Sequence, residues 1–258
     1  MRYHIDTIPV WDAAKLDGEC LLCALRRKTE LGEAERYLGA SVMEPDTRIQ
    51  VNTEGFCRNH QFMLYGMSNR LGHALMLESH TAESRRRMEK AFVTLKKSAK
   101  AYADAPLGKL TRAGASAKKD LDNALAEISA MSGTCIMCRS IDENMNRYLH
   151  TFFHLYQNDT EFRKRFCAGK GVCLPHMADL IQTAAKELSA KELRAFVDML
   201  TDLEQQNFER IQEDISWFIK KFDYRFANEP WKNSADAVPR TVNKLRGWCI
   251  GDEPNPKE

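Results

Sequence analysis

Eight residues of the chain have the types and the spacing to hold metal ions. Cys20-Leu-Leu-Cys23 is followed by Cys57-Arg-Asn-His60, and Cys135-Ile-Met-Cys138 is followed by Cys173-Leu-Pro-His176. His60 lies 40 positions beyond Cys20, His176 lies 41 beyond Cys135, and a glycine precedes each step by two residues (Gly18, Gly55, Gly133, Gly171). Two cysteines at i and i+3 can turn both sulfurs toward one ion, and three thiolates with one imidazole form a closed tetrahedral set for zinc. The preceding glycines let the backbone bend so that its N–H groups face the thiolates. The pattern is a CxxC…CxxH site written twice. It predicts two zinc ions per chain, with an iron–sulfur cluster as the rival occupant. Read along the chain, each set closes within its own repeat, so that each metal staples a helical hairpin by its two ends. Closure across the repeats is the alternative that the spacing leaves open.

A full protein ligand set leaves no position for water, so the ions are expected to be structural and not catalytic. Haem attachment is excluded by Ala24 and Arg139, which follow Cys23 and Cys138 where a histidine would be required. A thioredoxin-like dithiol lacks its βαβ surroundings.

The elements that must position these residues read as helices. Pro175 suits the first turn of a helix and no later position, so Cys173 should lie at a helix start with His176 one turn in, and Cys57 and His60 should match. Helix N-termini favour negative charge, which favours thiolates. Apolar residues in steps of three and four from Leu193 through Phe196, Leu200, Leu203, Phe208, Ile211, Ile215, Phe218 and Phe222 predict one long helix. A similar run begins near Cys57 and extends past Leu95, as one helix or as two broken near Gly72 or His80. Shorter helices are predicted at Leu21–Leu38, Lys119–Ala130, Ile136–Tyr156, Thr160–Phe166 and Pro175–Leu188, with Asp159 or Thr160 as an N-cap. The expectation is an all-α fold of two pseudo-symmetric helical repeats, each closed by a Cys₃His metal site. The first metal-binding unit would cover 1–102, a basic linker 103–118, the second unit 119–228 and an irregular C-terminal tail 229–258.

At 258 residues, 43% hydrophobic and 29% charged, the composition is that of a globular protein, and the net charge of +2 gives no overall attraction to nucleic acid or membrane. The first residues read as no signal peptide and no stretch approaches a membrane span. The expected location is therefore the cytoplasm, where metal ligation is a better reading of CxxC than a disulfide. Cys167 and Cys249 fall outside the pattern and read as ordinary cysteines.

His150 and His154 share a helical face with Arg147 and Glu143, and His73 and His80 share one with Arg70 and Glu78. Arg70, His73, Arg147 and His150 are the candidates for an enzyme cleft between the two halves, although partly buried polar faces explain them as well. Residues 85–119 carry eleven basic side chains against Glu89 and Asp104. That asymmetry can bind nucleic acid or another polyanion, but a solvated helix end and linker is the favoured reading. The aromatic stretch from Lys221 to Trp231 reads as a terminus packed down by its rings.

Asn69-Arg-Leu-Gly-His-Ala-Leu-Met-Leu77, the Gly55-Phe-Cys and Gly171-Val-Cys-Leu-Pro-His steps, Lys220-Lys-Phe-Asp-Tyr-Arg225 and Glu229-Pro-Trp231 together resemble a bacterial family of unknown function. Some of its members are labelled as ABC-transporter substrate-binding proteins. The resemblance covers nearly the whole chain and implies a stand-alone bacterial protein, without supplying an activity or catalytic residues. The transport label fits a chain without an export signal poorly. The function expected is a zinc-binding interaction or ligand-binding module, whose partner is an unknown protein or small molecule. The alternatives are an enzyme, and an iron–sulfur or thiol-based redox or metal sensor.

Overall fold

The computed structural model describes residues 4–105 and 111–251. Among them are eleven α-helices and no strand. The helices are α1 (His4–Lys15), α2 (Leu21–Leu38), α3 (Pro45–Glu54), α4 (Arg58–Gly66), α5 (Arg70–Asp104) and α6 (Arg112–Met131). They continue with α7 (Ile136–Asn158), α8 (Thr160–Cys167), α9 (Leu174–Glu187), α10 (Ala190–Lys220) and α11 (Ala237–Arg246). Among the described residues, no helix is long and apolar enough to cross a membrane.

The helix boundaries have local causes. Asp159 caps α8 by accepting from the N–H groups of Glu161 and Phe162 at 3.0 and 3.1 Å. Ser189 and Glu192 form a reciprocal capping box at the start of α10. Beyond the end of α10, the Lys221 ammonium donates to the carbonyls of Phe226, Ala227 and Glu229, which places a cation where the helix dipole is negative. The run beginning at Cys57 is two helices, and the break falls at residues 67–69, ahead of both Gly72 and His80. Asn69 makes that break. Its side chain accepts from the Gly72 N–H at 2.9 Å and donates to the Leu38 carbonyl. A Cβ on Gly72 would lie 2.6 Å from the Asn69 amide, so glycine is the residue that lets this cap close.

The chain separates into two compact units. One comprises Met1–Thr29 with Glu143–Glu258, the other Glu30–Asp142. Helices α2 and α7 each contribute residues to both. This division differs from the expected one at 1–102 and 119–228, since each unit takes one part from each sequence repeat.

The first unit has an aromatic centre. Phe152 meets the edges of Phe153, Phe162 and Phe166 at centroid distances of 4.8 to 5.5 Å, and Phe196 of α10 closes on Phe153 at 5.1 Å and on Tyr156 at 5.2 Å. Each fully buried ring contributes about 1.5–3 kcal/mol of apolar transfer energy. Around it α10 packs on α8, α9 and α11, and α1 packs on α8. In the second unit Tyr37, Val51, Leu64, Met76, Ile136 and Met137 are buried. There α5 packs on α3, α4 and α6, and the α5–α6 seam uses Ala91 and Ser98 against Gly114, Ala117 and Ala124, small residues that let two helices approach closely.

Two expectations about irregular segments are corrected. The linker expected at 103–118 contains the last two residues of α5 and, from Arg112, the start of α6; residues 106–110 of it lie outside the described residues. The tail expected at 229–258 contains α11, whose Ala237 and Lys244 are completely buried. Its prolines do not prevent this, because Pro230 precedes the helix and Pro239 occupies its first turn. The segment at 252–258 lies outside the described residues.

Candidate metal centres

All four metal-type steps sit at helix starts. Cys57 and Cys173 are the N-cap residues of α4 and α9, and Pro175 falls in the first turn of α9. Cys20 and Cys135 immediately precede α2 and α7, and their carbonyls accept from the N–H groups of Ala24 and Arg139 at 3.3 and 3.1 Å. At the two CxxC steps the sulfur of the first cysteine faces an N–H group of the first helical turn, whereas Cys57 and Cys173 make no such side-chain bond to their own helices. Cys23 N–H donates to Cys20 Sγ at 3.4 Å, and Cys138 N–H to Cys135 Sγ at 3.5 Å.

The eight ligand candidates assemble into two groups, each within one compact unit. Site one is Cys20, Cys23, Cys173 and His176; site two is Cys57, His60, Cys135 and Cys138. Each joins the CxxC of one repeat to the CxxH of the other. This corrects the expectation that each repeat closes its own set. The physical reason is helix length: α2 and α7, at 18 and 23 residues, advance the chain by about 27 and 35 Å from their CxxC ends. The CxxH step that follows each helix in sequence therefore belongs to the other unit.

The geometry within each group fits a single tetrahedral ion. His176 Nδ1 lies 3.3, 3.4 and 3.2 Å from the sulfurs of Cys20, Cys23 and Cys173, and the sulfurs of Cys23 and Cys173 are 3.6 Å apart. His60 Nδ1 lies 3.4, 3.2 and 3.5 Å from Cys57, Cys135 and Cys138, and the sulfurs of Cys57 and Cys138 are 3.7 Å apart. With metal–sulfur bonds near 2.3 Å and metal–nitrogen bonds near 2.05 Å, a tetrahedral ion holds its sulfurs about 3.8 Å apart and sulfur and nitrogen about 3.6 Å apart. In both sites Nδ1 is the ring atom that faces the sulfurs.

Protonation within the groups is divided between donors and thiolates. His60 is raised to about 10 by its hydrogen bonds to Cys135 and Glu30. His176 is also raised to about 10: burial opposes the shift, and the bonds to Cys173 and Cys23 overcome it. Cys135 comes down to about 6, against burial, through the bond to His60 and the N–H groups of Cys138 and Cys57. Burial and the neighbouring thiols push Cys138 up to about 12. In site one burial pushes the Cys20 thiol up, and bonds to Cys20 and Cys23 hold Cys173 well below the usual thiol range. These are the protons that a bound metal displaces.

The surroundings of the two sites differ. In site one all four ligands are buried. The segment after α11 closes over them: Trp248 N–H donates to Cys23 Sγ at 3.2 Å. A Cβ on Gly247, at φ +85°, would lie 3.8 and 3.9 Å from the sulfurs of Cys23 and Cys173. Below Cys173, Glu204 Oε1 accepts from Val172 N–H at 2.5 Å, and Glu204 Oε2 pairs with Lys244 at 2.7 Å. Lys244 also donates to the Lys170 carbonyl at 2.7 Å. Burial pushes the Glu204 carboxyl above its usual range, against the pull of Lys244. Gly171, at φ +69°, lies against Glu204 Oε1, where a side chain would collide with the carboxylate.

In site two Cys57 and Cys138 are only half-buried, while His60 and Cys135 are buried. His60 Nε2 faces Glu30 Oε1 at 3.3 Å, the carboxylate–histidine arrangement that orients a ligating imidazole and raises its basicity. The loop before Cys57 is tied to the start of α7. Ile136 N–H donates to the Gly55 carbonyl at 3.1 Å, and Thr134 Oγ1 donates to the Glu54 carbonyl at 2.8 Å. Arg139 pairs with the Glu54 carboxylate at 2.8 and 2.9 Å. Gly55, at φ +64°, lies under the His80 ring. Of the four glycines before the steps, only Gly55 and Gly171 adopt the left-handed region, so the requirement belongs to the CxxH steps and not to the CxxC steps.

Sequence reading did not find Glu30, Glu204, Lys244, Gly247 or Trp248. Glu30 carried a signal in principle, since it lies on the helix that follows the first CxxC; the others are distant in sequence from the sulfurs they serve. The four enzyme candidates each have close partners. Arg70 stacks on Tyr65 at 3.7 Å and the buried His73 bonds Gln61 at 2.8 Å, both in the second unit. Arg147 bonds Asn144 and approaches Asp6, and His150 bonds Glu187 at 2.7 Å, all in the first unit. Cys167 and Cys249 are exposed and belong to neither group.

Fold and sites together define an all-α protein with two Cys₃His groups able to hold metal ions. Over residues 1–252 the chain matches the model of a family of unknown function (DUF6062), and it belongs to that family. No curated protein and no solved structure matches it.

Proposed function

We propose that the protein binds one zinc ion in each Cys₃His group and that these ions are structural, supporting a cytoplasmic helical module that engages a protein or small-molecule ligand. The observation that carries this reading is the closeness of the donors: within each group all four ligand atoms lie within 4.8 Å of one another. One tetrahedral ion needs that spacing. The irons of an iron–sulfur cluster are ligated separately, which spreads the protein donors apart, so the iron–sulfur alternative is disfavoured. Soft thiolates with one imidazole select zinc among the common divalent ions, and four protein donors leave no place for a reacting water.

An interaction role is supported by exposed aromatic side chains on both units, with Phe62 at 82% exposure and Tyr224 at 88%. The enzyme reading draws less support, because its candidate residues are engaged with their neighbours. The nucleic-acid reading rests only on the basic stretch at 85–119.

Structural ions make folding depend on metal. The test is a thermal melt followed by circular dichroism, before and after treatment with a strong zinc chelator. A fall in melting temperature and helicity that added zinc reverses is expected. An unchanged melt would contradict the proposal.

A further inference from the structure

We infer that Cys57 and Cys138 form an oxidation site, at which a hydroperoxide converts the two thiolates to a disulfide and expels the metal of site two while site one keeps its own. The inference rests on the zinc reading above and deepens it by assigning a reactivity to one site. Three observations carry it. The two sulfurs are 3.7 Å apart, so a disulfide of about 2.05 Å needs them to close by less than 2 Å. They are the two half-buried thiols among the eight ligand positions, whereas the other six ligands are buried. Site one supplies an internal control, because Cys23 and Cys173 are just as close, at 3.6 Å, but lie beneath Gly247 and Trp248.

The chemistry balances with the hydroperoxide as the sole oxidant. One thiolate attacks the near peroxide oxygen, forming an S–O bond as the O–O bond breaks and hydroxide leaves. The second thiolate then attacks that sulfur, forming the S–S bond and expelling a second hydroxide. Two thiolates give up two electrons, hydrogen peroxide is reduced to two waters, and two protons come from solvent. Cys135 and His60 remain as the only protein donors at site two, too few to retain zinc in a closed site.

The test uses the full-length zinc-loaded protein with Cys167→Ser and Cys249→Ser, so that the two exposed cysteines outside the sites cannot react. Its zinc content is measured first; fewer than two ions per chain at that stage would reject the zinc reading itself. Hydrogen peroxide is then added with a chromophoric zinc chelator present, and disulfides are mapped by mass spectrometry after alkylation. The expected result is release of one zinc per chain at least ten-fold faster than the second, a Cys57–Cys138 disulfide, and restoration by a thiol reductant with zinc. Release of both ions at one rate, release of none, or a first disulfide within site one would overturn the inference. A second variant that ends at Arg246 removes the cover over site one. It should release both zincs with peroxide; a site one that stays protected in this variant would show that burial beneath Gly247 and Trp248 is not what sets the difference.

Discussion

The two sites use one recipe for their ligands and two for their surroundings. Both take a CxxC and a CxxH from helix starts, and both turn a histidine Nδ1 toward three sulfurs. Site one is then sealed by a segment more than 220 residues away from Cys23 in sequence and is braced from below by the buried Glu204–Lys244 pair. Site two is braced by Glu54, Thr134, Arg139 and Glu30, and two of its sulfurs stay partly exposed. A zinc ion with three thiolates and a neutral imidazole carries one net negative charge, which is costly to bury without donors. Site one answers that cost with the backbone N–H groups of Cys23 and Trp248 and with the Glu204–Lys244 pair close by, site two with the partial exposure of Cys57 and Cys138. Encapsulation should therefore make the first metal slow to exchange and leave the second accessible.

The sharpest way to break this comparison is to remove one ligand from each site. Cys173→Ser, at 0% exposure, should lower metal content from two ions to one and reduce stability by about 4 kcal/mol or more, roughly 8–16 °C in melting temperature for a chain of this size. Cys138→Ser should also cost one ion but with a clearly smaller fall, and equal falls would remove the distinction. Next in size is Lys244→Met, which leaves Glu204 buried without its cation and should cost about 3–5 kcal/mol in denaturant unfolding. Metal affinity at site two should be untouched by it.

Glu30→Gln sharpens the comparison from the other side. It weakens the hydrogen bond that orients His60, so zinc affinity at site two should fall about 10–100-fold in competition with a calibrated chelator, while site one holds its value. Gly247→Ala places a side chain at φ +85° beside two sulfurs of site one. The strain of about 1–2 kcal/mol should appear as faster zinc loss from site one alone. The smallest effect is expected from His73, which burial, and secondarily Arg70, hold below its ordinary value. The unfolded chain takes up that proton first as the pH falls, so the stability concerned is present above about pH 6.5 and declines below it. His73→Gln should flatten the difference between unfolding midpoints at pH 7.5 and pH 5.5; an unaltered difference would exclude His73 as its source.

Much of the site was legible because metal ligation is written in residue types at short spacing. The four steps named the eight residues that the structure gathers into two groups, and Pro175 correctly placed Cys173 at a helix start. The boundaries of α2 and α8 to α10 followed from apolar periodicity and caps to within three residues. The pairing of steps was not legible, because it depends on where long helices deliver the chain. Each CxxC looked nearest to the CxxH that follows it in sequence, and α2 and α7 carry the chain past that choice. Helices α1, α3 and α11 also escaped notice, since each is short and carries a proline: Pro45 and Pro239 fall in first turns, where proline is tolerated, and Pro9 lies inside α1. The covering of site one by Gly247 and Trp248 had no local signal at all.

The central claim is that each group holds one zinc ion. It is tested most directly by metal analysis and the absorption spectrum of protein purified without oxygen. The account predicts two zinc ions per chain, no visible absorption, and, after replacement by cobalt, the intense visible bands of a tetrahedral thiolate site. A brown protein containing iron and sulfide, or a folded protein with no stoichiometric metal, would contradict it.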